Sequence, residues 1–292
     1  MKKNLRESII HGTTEYHFAL YHIKSPRNPF HISLHWHDEA ELIYIEKGIL
    51  FLHIGEQSYE GKPGDIFFVN PGEIHDMYFE DSNTVYVTML FAPNTLVFLE
   101  MDYVNTNYLL PLTDGKTCFL TSVRDFSCYS AILQDIREIL DLNAKQPTAY
   151  QFRTKILLLD ILYQMYQANA VAFHSIDLSE HCFQHKILEY IKSEYLNDIC
   201  LSQIARQFSM SPKYFSRFFH HTFHITLTQY INQLRMEHAA SLLTNTDLSV
   251  TEIALQSGFS SCSYFNKKFQ AAFHCSPNQY RKQLNHPSSI PD

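Results

Sequence analysis

The six cysteines of this chain (Cys118, Cys128, Cys182, Cys200, Cys262 and Cys275) show no C-x-x-C pair. That absence removes the usual zinc-knuckle and dithiol spacings, so reduced, structural thiols are expected. His181-Cys182 with His185 has only a faint metal-site character, and polar surface residues at a domain boundary are the better reading. Long apolar runs are missing too. The longest, KILLLDILYQMY, is too short to cross a bilayer and is broken by Asp160. The opening MKKNLRESIIHG carries two lysines with no apolar segment behind them, which is not a secretory signal. We therefore expect a cytoplasmic protein with no membrane partner. Tryptophan occurs once, against 22 Phe and 18 Tyr, within a 45% hydrophobic, 18% charged composition ordinary for a globular protein. At 292 residues the chain has room for two cores.

Positive charge is scarce overall, with a net of −7, which looks wrong for a nucleic-acid binder. Division of the chain removes the objection. From residue 181 onward there are 10 Lys+Arg against 7 Asp+Glu, while residues 1–180 hold 13 against 23. An acidic half and a mildly basic half suggest two jobs. The basic footprint is weak, so helix patterning must carry more weight than charge.

Between residues 15 and 92, β-type runs (ELIYIEKG, ILFLHIGEQSYE, DIFFVNPGE, TVYVTMLFA) alternate with turns at Gly48, Gly55, Gly61–Gly64 and Pro71-Gly72. This spacing predicts a small antiparallel barrel or jelly roll. Beyond residue 93 the period lengthens. Helices are expected over 126–142 and 149–170, with apolar stripes Ile132, Ile136, Ile139, Leu140 and Ile156, Leu159, Leu162, Tyr163, Tyr166. Pro147 separates them, giving a helical hairpin. Its surplus apolar surface fits either a dimer contact or simple packing on the barrel. The predicted fold is thus α+β: a barrel and hairpin over 1–175, a linker over 176–183, and an all-α domain over 184–286.

That last domain contains a repeat at a spacing of about fifty residues. Ile204-Ala205, Tyr214-Phe215-Ser216-Arg217 and Phe223-His224 reappear as Ile253-Ala254, Tyr264-Phe265-Asn266-Lys267 and Phe273-His274. Each copy reads as a helix-turn-helix. In the first, Ser211-Pro212 starts the second helix as N-cap and first helical residue. Phe215, Phe218 and Phe219 are its buried face, and Lys213, Ser216 and Arg217 its outer face. In the second, Gly258 supplies the turn, Ser260 or Ser261 the cap, and Phe265, Phe269, Ala272 and Phe273 the inner face. Cys262, Ser263, Asn266 and Lys267 face out. Arg and Lys can donate to guanine edges and Asn can pair with adenine; for any single residue a solvated surface role is the plainer alternative. Residues 227–243 read as one helix connecting the two units.

Residues 184–284, through LSQIARQFSMSPKYFSRFF, QYINQLRMEHAASLL and SVTEIALQSGFSSCSYFNKKFQAAFHCSPNQYR, resemble the DNA-binding domain of the AraC/XylS family of transcription regulators. The resemblance implies seven helices, two helix-turn-helix units and a role at promoters. His224 and His274 stand where that family usually has glycine before the Q-Y segment, and Ser209 where a turn glycine is common.

Upstream, His35-Trp36-His37, Glu41 and Gly48 fit H-x-H-x3-E-x6-G, and Gly64 through His75 supplies a second block. This pattern resembles the cupin barrel, whose three His and one Glu bind a divalent metal. His35 and His37, two apart on a strand, share a face. Asn70 replaces the motif's proline, Pro71 follows one place late, and Phe79 stands where an Asn is expected. An organic-ligand pocket or polar cluster, a sensing metal, and a metal enzyme are the three readings of His35, His37, Glu41 and His75. Tyr44 joins them as an effector-binding candidate, and Trp36 and His53 as ring or hydrogen-bond partners for a sugar-like ligand, with aromatic core the plainer role. The expectation is a non-enzymatic regulator that needs no cofactor, with a divalent metal in the barrel as a candidate. Its partners would be double-stranded promoter DNA, a small-molecule effector, a second copy of itself and, for an activator, RNA polymerase.

Overall fold

The computed structural model describes residues 11–13, 15–24, 30–79, 83–172 and 178–285. Its first unit is built from eight strands: β1 (Phe18–Lys24), β2 (Phe30–His35), β3 (Ala40–Lys47), β4 (Leu50–Ile54), β5 (Gln57–Gly61), β6 (Ile66–Val69), β7 (His75–Phe79) and β8 (Val85–Phe91). They form two antiparallel sheets, ordered β1-β8-β3-β6 and β2-β7-β4-β5. The strands β1, β2 and β7 lie outside the runs read from sequence. Gly48, after β3, sits at φ +78, and a Cβ there would lie 2.6 Å from the Thr84 Cα, so only glycine fits that turn.

Alternation along each strand divides the apolar residues between two cores. Ile43, Ile45, Leu52, Val69, Met77 and Phe79 fill the space between the sheets. Leu42, Phe68, Val87 and Met89 point the other way and pack under α2 (Tyr129–Lys145) and α3 (Tyr150–Gln167). Those two helices follow the short α1 (Leu110–Thr113), and the small pair β9 (Cys118–Phe119) and β10 (Val171–Ala172) ties their ends to the barrel. On α2, Ile132, Ile136 and Ile139 are buried as expected. On α3 the expected stripe is corrected. Leu157, Leu158, Ile161, Leu162 and Met165 are buried, whereas Ile156 and Tyr163 are exposed. KILLLDILYQMY is apolar on almost every side, so periodicity alone could not choose the face.

The second unit comprises α4 (Leu178–Glu194), α5 (Leu201–Gln207), α6 (Pro212–Phe223), α7 (Leu227–Asn245), α8 (Val250–Gln256), α9 (Cys262–Phe273) and α10 (Pro277–Asn285). Among the described residues these are the seven helices the resemblance implied. α4 begins at Leu178, inside the stretch 176–183 read as linker, and residues 173–177 lie outside the described residues. No helix among the described residues is long and apolar enough to cross a membrane.

The helical unit has two cores, one per repeat. Ile204, Ala205, Phe215, Phe219 and Tyr230 form the first, and Ile253, Ala254, Phe265 and Phe269 the second, with Met236 and Ala239 of α7. Burial of each phenylalanine contributes roughly 1.5–3 kcal/mol. The first core does not end at the domain boundary. It includes Leu34 of β2 and Ile74, which precedes β7, so the barrel and the first helix-turn-helix unit share apolar surface.

Candidate DNA-reading face and histidine cluster

In the first repeat, Ser211 caps α6: its hydroxyl accepts from Tyr214 N at 3.3 Å, and Pro212 opens the helix. In the second, Ser261 rather than Ser260 caps α9, accepting from Tyr264 N. Ser249 and Glu252 form a reciprocal cap on α8. Lys213, Ser216 and Arg217 are exposed on α6, and Ser263, Asn266 and Lys267 on α9, while Cys262 is half-buried. Phe218 is half-buried, Phe273 packs partly against the second core, and Ala272 is exposed, not inward as expected. Ala272 falls in the last turn of α9, past Phe269, the last fully buried residue of that helix.

The three departures from glycine all adopt the backbone that glycine would. Ser209, His224 and His274 have φ of 56, 54 and 53. His224 and His274 are the left-handed C-caps of α6 and α9, so the turns form without glycine at a conformational cost. Gly258 is a true requirement. At φ +80, a Cβ would meet Leu196 O and Arg235 Nε, both at 2.9 Å. Arg235 is held there by bonds from Nε to Tyr195 O (2.7 Å) and from Nη2 to Asn197 O (2.8 Å), and it lies over the Phe259 ring. This arginine of α7 thereby ties the end of α4 to the turn of the second unit, and Asn232 of α7 donates to the Tyr264 hydroxyl of α9. The sequence reading missed both residues, because nothing in the local pattern marks a tertiary tie.

In the barrel, His35, His37 and His75 converge so that the ligand atoms they offer lie within 4.8 Å of one another. A one-residue bulge makes this possible. β2 and β7 pair Ile32 with Met77 and His35 with His75, three residues against two. The extra residue turns both Ile32 and His35 inward. Glu41 reaches the cluster from β3 in the other sheet, its Oε2 lying 3.1 Å from His75 Nε2 and 3.4 Å from His37 Nε2. His37, Glu41 and His75 are all buried. Burial alone would raise the Glu41 pKa, but hydrogen bonds and charge from His37 and His75 outweigh it and hold the carboxyl well below its ordinary range. The buried Tyr86 phenol is pushed up by burial and by the charge of Glu41. His11, which the sequence reading passed over, is buried with its ring 5.9 Å from that of His37.

Tyr44 does not join this cluster. It is three residues from Glu41, so strand parity sends it to the opposite face, against the core beneath α2 and α3. Trp36 likewise points away from its histidine neighbours. It stacks on His185 of α4 with ring centroids 4.1 Å apart and planes within 4°. His185 is therefore an interdomain residue rather than a polar surface one, and its Nε2 donates to Gly72 O at 3.0 Å. His53 donates to Asp76 at 2.9 Å and stacks on His224, whose Nε2 donates to Glu56 O. Asn70, the replacement for the expected proline, bonds both the N–H and the carbonyl of Phe119 and anchors the loop before His75 to β9.

A two-sheet barrel joined to paired helix-turn-helix units, each with an exposed polar face, defines a DNA-binding regulator with a ligand-binding module. Two family descriptions match the chain in the same arrangement: the AraC-like ligand binding domain over residues 17–150 and the Helix-turn-helix domain over residues 204–283. The uncharacterized HTH-type transcriptional regulator YdeC of Bacillus subtilis is 28% identical over 288 residues, covering 96% of this chain and 97% of that one. The HTH-type transcriptional activator RhaR of Mannheimia succiniciproducens is 25% identical, covering 86% and 87%. Among solved structures, ToxT of Vibrio cholerae with bound unsaturated fatty acid is 17% identical, covering 94% and 97%, at a TM-score of 0.45. The chain belongs to the AraC family of helix-turn-helix transcriptional regulators, not to a family of enzymes.

Proposed function

We infer that this regulator is cytoplasmic and effector-responsive, that it reads promoter DNA through α6 and α9, and that its barrel senses a small molecule. The observation that carries the reading is the shared core between the two units. Leu34 and Ile74 of the barrel are packed among the first helix-turn-helix residues, so any ligand that alters β2 or β7 acts on a DNA-reading element. A ligand shifts such an equilibrium only by binding the two arrangements unequally. Lys213, Ser216 and Arg217 on α6, with Cys262, Ser263, Asn266 and Lys267 on α9, are the proposed base- and phosphate-contacting set. Arg217→Ala with Lys267→Ala should weaken promoter binding by tenfold or more in a gel-shift series at fixed salt, about 1–3 kcal/mol per base-reading pair. Undiminished binding by the double variant would remove both residues from the interface.

A second copy of the chain is the proposed partner of the outer face of α3. Phe152, Ile156 and Tyr163 are exposed there beside a groove bounded by Asp135, Arg153 and Asp160. Helical spacing puts Phe152, Ile156 and Tyr163 on one side, at i, i+4 and i+11. Phe152→Glu with Tyr163→Glu should convert a dimer to a monomer in sedimentation runs. An unchanged sedimentation coefficient would exclude this face. Contact with RNA polymerase is expected if the protein activates.

A further inference from the structure

We propose that the apolar loop 98–104 of each copy docks on the outer face of α3 of a second copy, so that two reciprocal loop-on-helix contacts hold the dimer. This deepens the self-association proposed for α3 and rests on it.

The first support is a loop built to stay exposed. Residues 98–104 read FLEMDYV, and all seven are exposed. Leu99 is wholly in solvent, and Met101 and Tyr103 are 68% and 71% exposed. A segment this apolar would turn its side chains inward if it were free to do so. The fully buried Asn105 prevents it. Its side chain accepts from Phe98 N at 3.0 Å and donates to Phe98 O at 2.9 Å and to Glu100 O at 2.7 Å. Its own N–H donates to the Asp102 carboxylate at 2.7 Å. These bonds converge on one residue and pin the loop, so its apolar tips are presented rather than loose.

The second support is area. At ~200 Å² for a fully exposed large side chain, the apolar residues of the loop leave about 650 Å² in water. The largest apolar patch on an ordinary monomer is about 300–600 Å². Phe152, Ile156 and Tyr163 of α3 bring the total to about 1,000 Å². That covers the ~800 Å² each partner gives to a stable interface. An anionic membrane or a nucleic acid is a poor occupant. The loop carries Glu100 and Asp102, and residues 1–180 hold 13 Lys+Arg against 23 Asp+Glu.

The third support is placement. The Tyr103, Tyr108 and Tyr166 rings form a chain, with centroids 6.1 and 5.0 Å apart, and the Tyr166 hydroxyl donates to Tyr108 O. The loop is thereby fixed at the C-terminal end of α3, whereas Phe152 and Ile156 stand toward its start. Beside Ile156 and Tyr163 a groove of about 470 Å³ runs between α2 and α3, with room for apolar side chains. A two-fold axis crossing α3 near Leu159 has Tyr166 seven residues to one side and Phe152 seven to the other. It carries the loop end of each copy over the Phe152 end of the other, so loop meets helix twice.

The test is sedimentation velocity on the full chain over a concentration series. Leu99→Glu with Met101→Glu is the loop variant, and Phe152→Lys with Tyr163→Lys the helix variant, each checked for folding by circular dichroism. Wild type should sediment as a dimer. Each variant alone should have its dimer dissociation constant raised about 100-fold, tenfold for each anchor lost. An equimolar mixture should recover a dimer, because it keeps one natural contact and sets Glu against Lys in the other. A loop variant that dimerises like wild type would overturn the docking of the loop and leave the α3 face to be judged by the helix variant. Two monomeric variants that do not complement each other would overturn the reciprocal pairing. A helix variant that stays dimeric, or a monomeric wild type, would remove the α3 reading and this inference with it.

Discussion

Asp135 offers a quantitative check on the packing of the helical hairpin. Its carboxyl on α2 is 8% exposed, accepts from Gln164 of α3 at 2.9 Å, and shares that donor with Asp160. Burial, reinforced by the charge of Asp160, pushes its pKa up to about 6, against about 4 in an unfolded chain. The folded state therefore holds this proton more tightly than the unfolded state. Above pH 6 the carboxylate is ionised in both states and burial makes it a burden on the fold. As pH falls from 7 toward 4 that burden is relieved, by up to about 3 kcal/mol for two pK units. Asp135→Asn keeps an oxygen for Gln164 and removes the charge. We expect it to stabilise the barrel-and-hairpin unit by about 1–3 kcal/mol at pH 7.5 in urea denaturation, with the gain falling to roughly a third by pH 4.5 and to near zero by about pH 3. A gain undiminished at pH 4.5, or a loss at pH 7.5, would refute a buried ionised Asp135 as its source.

Three further outcomes follow from contacts already described. His274→Gly should stabilise the helical unit by about 1 kcal/mol in thermal melts by relieving a left-handed C-cap, whereas His224→Gly should gain less because it forfeits the contacts with Glu56 and His53. His53 has its pKa raised by the hydrogen bond from its ring to Asp76. The stabilisation from that pair is full below the unfolded histidine value of about 6.5 and is lost as pH rises through the folded value. Asp76→Asn should thus destabilise by about 1 kcal/mol at pH 5.5 and by little at pH 8.5, and equal losses at both would sink the ion-pair account. Phe265→Ala should cost about 3–5 kcal/mol and unfold the second reading unit, seen as loss of helical circular dichroism together with DNA binding.

The caps, turns and outer faces of α6 and α9 were legible in the sequence because each depends on neighbours within four residues. Ser211, Ser261 and the polar triplets needed no tertiary information; Gly258 was legible as a turn, although the groups that forbid a side chain there, Leu196 and Arg235, are distant in sequence. The α3 face was not legible, since a helix apolar on nearly all sides has no preferred stripe until the barrel is placed against it. Strand parity alone separates Tyr44 from Glu41, and a stricter reading of the alternation would have found it. The His35 bulge has no local signature at all, because its extra residue is defined only by the partner strand β7. The interdomain contacts of Trp36, His185, His53 and His224 join residues more than a hundred positions apart, where no periodicity reaches.

The connector α7 has a mechanical consequence. It is 19 residues long, about 28 Å at 1.5 Å per residue, and Arg235 and Asn232 brace it at the ends of α4 and α9. Successive major-groove turns recur about every 34 Å. If α6 and α9 enter successive turns of the groove as proposed, a misfit between the protein's spacing and the groove repeat would be taken up by curvature of the DNA. Base pairs between the two reading helices, touched by neither, would then tune affinity through their stiffness alone.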